Sequence, residues 1–213
     1  MKQFFIIVTL VVSVCTLAVP TSTRAAEVLR MQYSGPTAKA WFSHTDERGC
    51  IVDMVSIKAS QGRAKQGGQP EAASQIFVWV WQYDSCSDPN SLVTLFDGMV
   101  RTSLPAGALQ VNRRLDTATL NTTVDVYDYV SGTTHSVAIN VGWTATGDAR
   151  YVKESDQVRV GSYIFSQRFE STSRPAQASG SVSLDNSANI TPDPTVLETG
   201  IESVKSGEMI ISR

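Results

Sequence analysis

Imidazole chemistry in this chain rests on His44 and His135, its only two histidines. In an antiparallel hairpin closed about Ser131-Gly132, His135 falls opposite Asp128 on the inward parity. A carboxylate-oriented imidazole is half of what activates a nucleophile. No serine stands in a Gly-x-Ser-x-Gly elbow, and two of the three cysteines are expected in a disulfide, so the other half is missing. His135 and Asp128 are therefore read first as an ion pair at a sheet rim and second as the start of a hydrolase site. With two histidines and paired cysteines, zinc would find few ligands.

Oxygen ligands are better supplied. Asp84, Asp88 and Asn90 share a tight loop beside Cys86, with groups that calcium accepts. The spacing is not that of an EF-hand, and Asp and Asn are what turns are made of, so these residues stand as calcium suspects only. No cofactor is expected. Glu154-Ser155-Asp156 falls short of the paired carboxylates that β-sandwich glycosidases present along a strand. Asn121-Thr122-Thr123 and Asn189-Ile190-Thr191 are glycosylation sequons.

Flat rings offer a different chemistry. Phe77, Trp79, Trp81 and Tyr83 alternate along one stretch and would stack pyranose faces if that side of a strand met solvent. The competing reading is a core row, because an exposed apolar patch of that size is unusual. Trp41, next to Lys39 in an alternating stretch, is the better placed exposed ring. The binding candidates are thus Trp41, Trp79 and Trp81.

The element that must position these rings is a hairpin with a cysteine at each end. Ile51–Ala59 and Gln75–Asp84 are apolar and β-branched or aromatic, and a Gly-rich polar loop, Gln61 to Ala73, separates them. Setting Cys50 opposite Cys86 places Val55 against Trp81, Ile57 against Trp79 and Ala59 against Phe77, which puts the rings in the core. The same pairing predicts a Cys50–Cys86 disulfide. The loop is expected to be mobile.

Other strands flank this hairpin. Val28–Tyr33 and Thr37–His44 are separated by a turn at Ser34-Gly35-Pro36, and Leu92–Phe96 and Met99–Ser103 flank a hairpin turn at Asp97-Gly98. Ala118–Val126 and Val137–Ala145 pair Val126 with Val137 and Leu120 with Trp143. Ala149 to Asp156 fits no element. Val158–Thr172 holds one long strand or two, ended by Arg174-Pro175. Ala176–Leu184 follows, with a bulge at Gly180, and a hairpin about Ser206-Gly207 finishes the chain.

Composition bounds the rest. Lys2, an apolar run from Phe4 to Val19 and small residues at Thr23 and Ala25 read as a secretory signal over residues 1–25. Its removal takes away Cys15 and leaves two cysteines, an even count suited to an oxidising compartment. The formal charge of the whole chain is −2, spread without long runs, so no basic patch invites nucleic acid. The mature chain holds no apolar run long enough to span a membrane as a helix. Residues 26–213 are expected to form one all-β domain, an antiparallel β-sandwich of immunoglobulin-like or jelly-roll topology. The function that fits is a secreted or periplasmic, non-catalytic module that binds a glycan, a cell-surface component or another protein. The alternatives are an extracellular hydrolase near His135 and Asp128, and a structural surface protein.

Overall fold

Apolar and polar side chains alternate with a period of two through most of this chain, and a chain patterned that way buries one face of each strand. The computed structural model describes residues 28–72, 74–87, 91–185, 190–191 and 198–212. The expected signal over residues 1–25 lies outside them. All regular structure among the described residues is antiparallel β: β1 (Leu29–Thr45), β2 (Ile51–Ser60), β3 (Arg63–Gln66), β4 (Gln69–Ala72), β5 (Gln75–Asp84), β6 (Val93–Ser103), β7 (Leu109–Val111), β8 (Thr117–Asp128), β9 (Thr134–Ala145), β10 (Arg150–Val160), β11 (Tyr163–Leu184) and β12 (Glu198–Ser212). No helix among them is long and apolar enough to cross a membrane.

Because β12 pairs with both β1 and β11, eight strands close into a ring in the order β11-β9-β8-β6-β5-β2-β1-β12. The seam between β6 and β8 is held by two residue pairs only, Gly98 with Asp128 and Met99 with Tyr127. Inside lie the apolar side chains of facing walls, with Phe42, Ile57, Val78 and Val80 on one and Leu120, Val126, Ile139 and Val141 on the other. Full burial of each such side chain is worth about 1.5–3 kcal/mol. Trp143 crosses the interior, and its Nε1 donates to the carbonyl oxygen of Lys39 on the opposite wall at 2.9 Å.

Three strands outrun this ring. The first part of β1, the first half of β11 and the last part of β12 continue beyond it and pair with one another. They carry β10 on one side and the β3–β4 hairpin on the other, giving an open sheet in the order β10-β11-β12-β1-β3-β4. A two-residue bulge at Lys205-Ser206 of β12 marks where ring gives way to sheet.

Several expectations change here. The first hairpin pairs Val55 with Val80, Ile57 with Val78 and Ala59 with Ile76, one residue from the predicted register. A slip of one exchanges the two faces of a strand, so Ile76, Val78 and Val80 fill the core and Phe77, Trp79, Trp81 and Tyr83 face outward. The disulfide forms nonetheless, with Cα atoms 5.2 Å apart, because Cys50 pairs with Ser85 and Cys86 turns back past the end of the ladder. The second hairpin is displaced by two residues, which preserves its faces: Val126 meets His135 and Leu120 meets Val141.

Four predicted turns are strand interior. Asp97-Gly98 runs straight through β6, where Gly98 serves packing and not turning: a Cβ there would come within 2.6 Å of Val126 and of the Phe96 ring. Ser34-Gly35-Pro36 lies within β1, with Gly35 pressed against the backbone of Gln61 and Gly62. Ser206-Gly207 belongs to the bulged strand β12, and Arg174-Pro175 is passed by β11 at the point where it changes partners from β10 to β9. There Pro175, which has no N–H to give, accepts from the Thr146 N–H at 2.9 Å. Gly180 adopts φ +116° without any register shift between β11 and β9, so no bulge forms there. The presumed mobile loop from Gln61 to Ala73 carries β3 and β4, and Ala149 to Asp156 opens β10.

Candidate functional site

The outward row of β5 reads Phe77, Trp79, Trp81, Tyr83. The Trp79 and Trp81 rings are stacked, with centroids 6.2 Å apart and planes 10° apart, and Tyr83 follows 4.8 Å from Trp81. All four are half-buried. Cross-strand register extends the row sideways, since Trp41 of β1, Ser56 of β2, Trp79 of β5, Met99 of β6 and Tyr127 of β8 stand side by side. Trp41 is 38% exposed, Met99 45% and Tyr127 47%. Strands are about 4.8 Å apart, so Trp41 sits roughly 10 Å from Trp79 across the sheet.

One polar group fixes the platform. The Nε1 of Trp79 donates to Asp97 Oδ1 at 2.9 Å, from the strand alongside. That bond sets the ring's orientation and leaves a carboxylate beside it. Lys39, Lys58, Phe77 and Arg101 form the next row across β1, β2, β5 and β6. The surface therefore joins flat apolar faces to hydrogen-bonding groups along its edges, a combination that suits a sugar ring with apolar C–H faces and peripheral hydroxyls.

His135 occupies one end of the ring. Its Nδ1 lies 2.5 Å from Asp185 Oδ2, while Asp128, the expected partner, is 4.0 Å from Nε2. With Nδ1 donating to Asp185, Nε2 accepts from Thr133 Oγ1 at 2.8 Å, and Ser131 Oγ stands 3.4 Å away. The His135 hydrogen bond, followed by that from the Ser136 N–H, holds the Asp185 carboxyl below its usual range. Phe96 meets the imidazole edge-on.

Asp128 has a different task. Burial works to raise its pKa, but hydrogen bonds from the Ser131 side chain and from the N–H groups of Val130, Asp97 and Ser131 together bring it down to about 2. It is 2% exposed and organises the β8–β9 turn. Asp53 is a contrasting buried carboxyl. Burial pushes it up, against the hydrogen bond it accepts from Gln82.

Asp84 is occupied with its own loop, accepting from the N–H groups of Cys86 and Ser87 and from the Ser87 hydroxyl. Asp88 and Asn90 lie outside the described residues. Among the described residues no group of three or more His, Cys, Asp or Glu is gathered as metal ligands. Among the described residues one open groove of about 730 Å³ lies beside Arg150 and Tyr151, and another of about 390 Å³ lies between β1, β3, β11 and β12. Neither is lined by His135 or by the tryptophans.

Sequence reasoning missed Asp185, which lies 50 residues from His135 with no local pattern to connect them. It also missed Met99 and Tyr127, which join the platform only through register. No protein-family model, curated protein or solved structure matches the chain.

Proposed function

We propose that this chain is an exported, non-catalytic module that binds a polysaccharide through the aromatic platform on the outer wall of β1, β2, β5 and β6. The observation that carries this reading is the outward-facing Trp79–Trp81 pair, with Trp41 two strands away in the same row. Export is supported by the Cys50–Cys86 bridge, which suits an oxidising compartment. Ring stacking is worth about 1 kcal/mol or more for each ring. Affinity electrophoresis through gels containing neutral glucans, xylans or galactans tests the idea. The double change Trp79→Ala/Trp81→Ala abolishes retardation in whichever gel retards the parent, and His135→Asn leaves it unchanged. A parent retarded by no polysaccharide defeats the proposal.

A second reading is favoured by one observation, the chain of hydrogen bonds Asp185–His135–Thr133, which resembles the wiring of a hydroxyl nucleophile. Here a hydrolase would use Thr133 or Ser131 as nucleophile, His135 as base and Asp185 to orient it. Any hydrolytic activity should then fall about a thousandfold in His135→Asn with the fold intact.

A further inference from the structure

The open sheet beyond the ring has two unlike faces, and one of them gathers charge from five strands. β10 contributes Lys153 and Arg159, β11 Arg168, β12 Lys205, β1 Arg30 and β3 Arg63 and Lys65. Alternation along each strand puts Lys153 and Arg159 on the face of Arg168, and contacts tie the others together. Arg30 reaches Glu208 at 2.5 Å, Lys205 reaches Glu170 at 3.1 Å, Tyr151 of β10 also bonds Glu170, and Arg63, Lys65, Arg168 and Lys205 line one groove of about 390 Å³. All seven cations are exposed, and among the described residues the only carboxylates on this face are Glu170 and Glu208. The chain as a whole is net negative, so this is a local concentration of positive charge on an acidic protein.

We infer that this face is a docking surface for a linear acidic polysaccharide, carrying carboxylate or sulfate groups, at a site separate from the aromatic platform. The charges are spread over five strands, and four of them line one open groove, so they form an elongated patch and not a single pocket. Cations spread along an open groove match a polymer that carries repeated anions. The face offers an anionic membrane little to insert, since its aliphatic side chains, Ile164 and Ile210, are half-buried. Single-stranded nucleic acid would call for a run of exposed rings on which bases stack, and the described residues offer there only Tyr151 and, in the groove wall, the half-buried Tyr33.

The test uses the exported chain and three probes: polygalacturonate, vesicles of phosphatidylglycerol and a single-stranded DNA oligomer. Polygalacturonate should bind at low salt and be released as ionic strength rises. The variant Arg63→Gln/Lys65→Gln/Arg168→Gln should lose at least tenfold in affinity. An equal loss of charge elsewhere, Arg48→Gln/Arg113→Gln/Arg114→Gln, should leave affinity within twofold, as should Trp79→Ala/Trp81→Ala. The inference is overturned if the three sheet changes leave affinity intact, if the tryptophan changes remove it, or if vesicles or DNA bind more tightly than the polysaccharide. Because the sheet variants spare the platform, neutral-glycan binding in them reports on the platform alone.

Discussion

Strand β12 lives in two environments, and the contrast between them organises the molecule. At Ile201 it faces the ring interior and the side chain is fully buried; at Ile210, past the bulge, the same residue type sits half-exposed on an open sheet. β1 makes the same passage from Ala38, Ala40 and Phe42 to Arg30 and Gln32, and β11 from Ala176 and Ala178 to Arg168. In both strands the positions of one parity are apolar within the ring and mostly polar or charged outside it. Identical backbone pairing thus supports opposite chemistry, because closure of the sheet, and not strand formation, excludes water. The ring supplies stability and the open sheet supplies surface.

The strongest way to break this contrast is to truncate the same side chain in both places. Ile201→Ala should cost about 2–5 kcal/mol, the range for deleting a buried aliphatic group. Ile210→Ala should cost under about 1 kcal/mol, as for a surface change. Urea denaturation of the two variants measures the difference. Equal losses would mean that the open sheet is packed as tightly as the ring.

The disulfide belongs to the ring's side of the comparison. It closes a loop with a sequence separation of 36 at the end of the β2–β5 ladder. The chain-entropy model assigns about 3–4 kcal/mol to such a loop. Cys50→Ser/Cys86→Ser should fold and melt well below the parent, and reduction should lower the parent's melting point by a similar amount. A parent indifferent to reductant would show that the ladder alone fixes this end.

How much of this was legible in the sequence follows from what each device depends on. The all-β class was readable from period-two alternation, and the Cys50–Cys86 bridge from two thiols flanking matched strands. The face of the Trp79 row was not. Both Ile76-Val78-Val80 and Phe77-Trp79-Trp81 are apolar, so either could fill the core, and a disulfide one residue beyond the ladder pointed to the wrong register. Asp97-Gly98 misled for a related reason: a glycine demanded by close packing looks the same in sequence as one demanded by a turn. The cationic face was invisible because its charges come from five strands, and only pairing assembles them. The same holds for Asp185, found by His135 across 50 residues.

A smaller effect sharpens the comparison through pH. Asp128 seals the β6–β8 seam from beneath, and its carboxyl sits at about 2 against roughly 3.9 when unfolded. A depressed carboxylate stabilises the fold above its unfolded pKa, and that contribution fades as pH falls from about 4 towards 2. Asp46, Asp84, Glu170, Asp185 and Glu208 are lowered too and act in the same direction, while Asp53, raised by burial, acts against them. Replacing Asp128 with Asn should therefore lower stability at pH 7 by about 1–3 kcal/mol, the cost of unsatisfied buried donors. It should also flatten the acid limb between pH 4 and 2. Melting temperatures across that range decide it, and an unchanged limb would place the seam's stability elsewhere.

The smallest effect on stability is expected at Glu208, on the open sheet. Hydrogen bonds from Gln32 and then Arg30 hold this carboxyl below its usual range, and Arg168 stands directly across the ladder. An ion pair of this kind, with Arg30 56% exposed, contributes under about 1 kcal/mol. Glu208→Gln should accordingly leave the urea midpoint almost unmoved. Yet Glu208 is one of two carboxylates set among seven cations, so neutralising it should tighten polygalacturonate binding several-fold at low salt and steepen its salt dependence. The ring predicts nothing of the sort for its own carboxylates, since Asp128 is committed to backbone donors. A Glu208→Gln variant that is markedly less stable, with no gain in polyanion affinity, would mean that the open sheet is held together by its charges instead of presenting them.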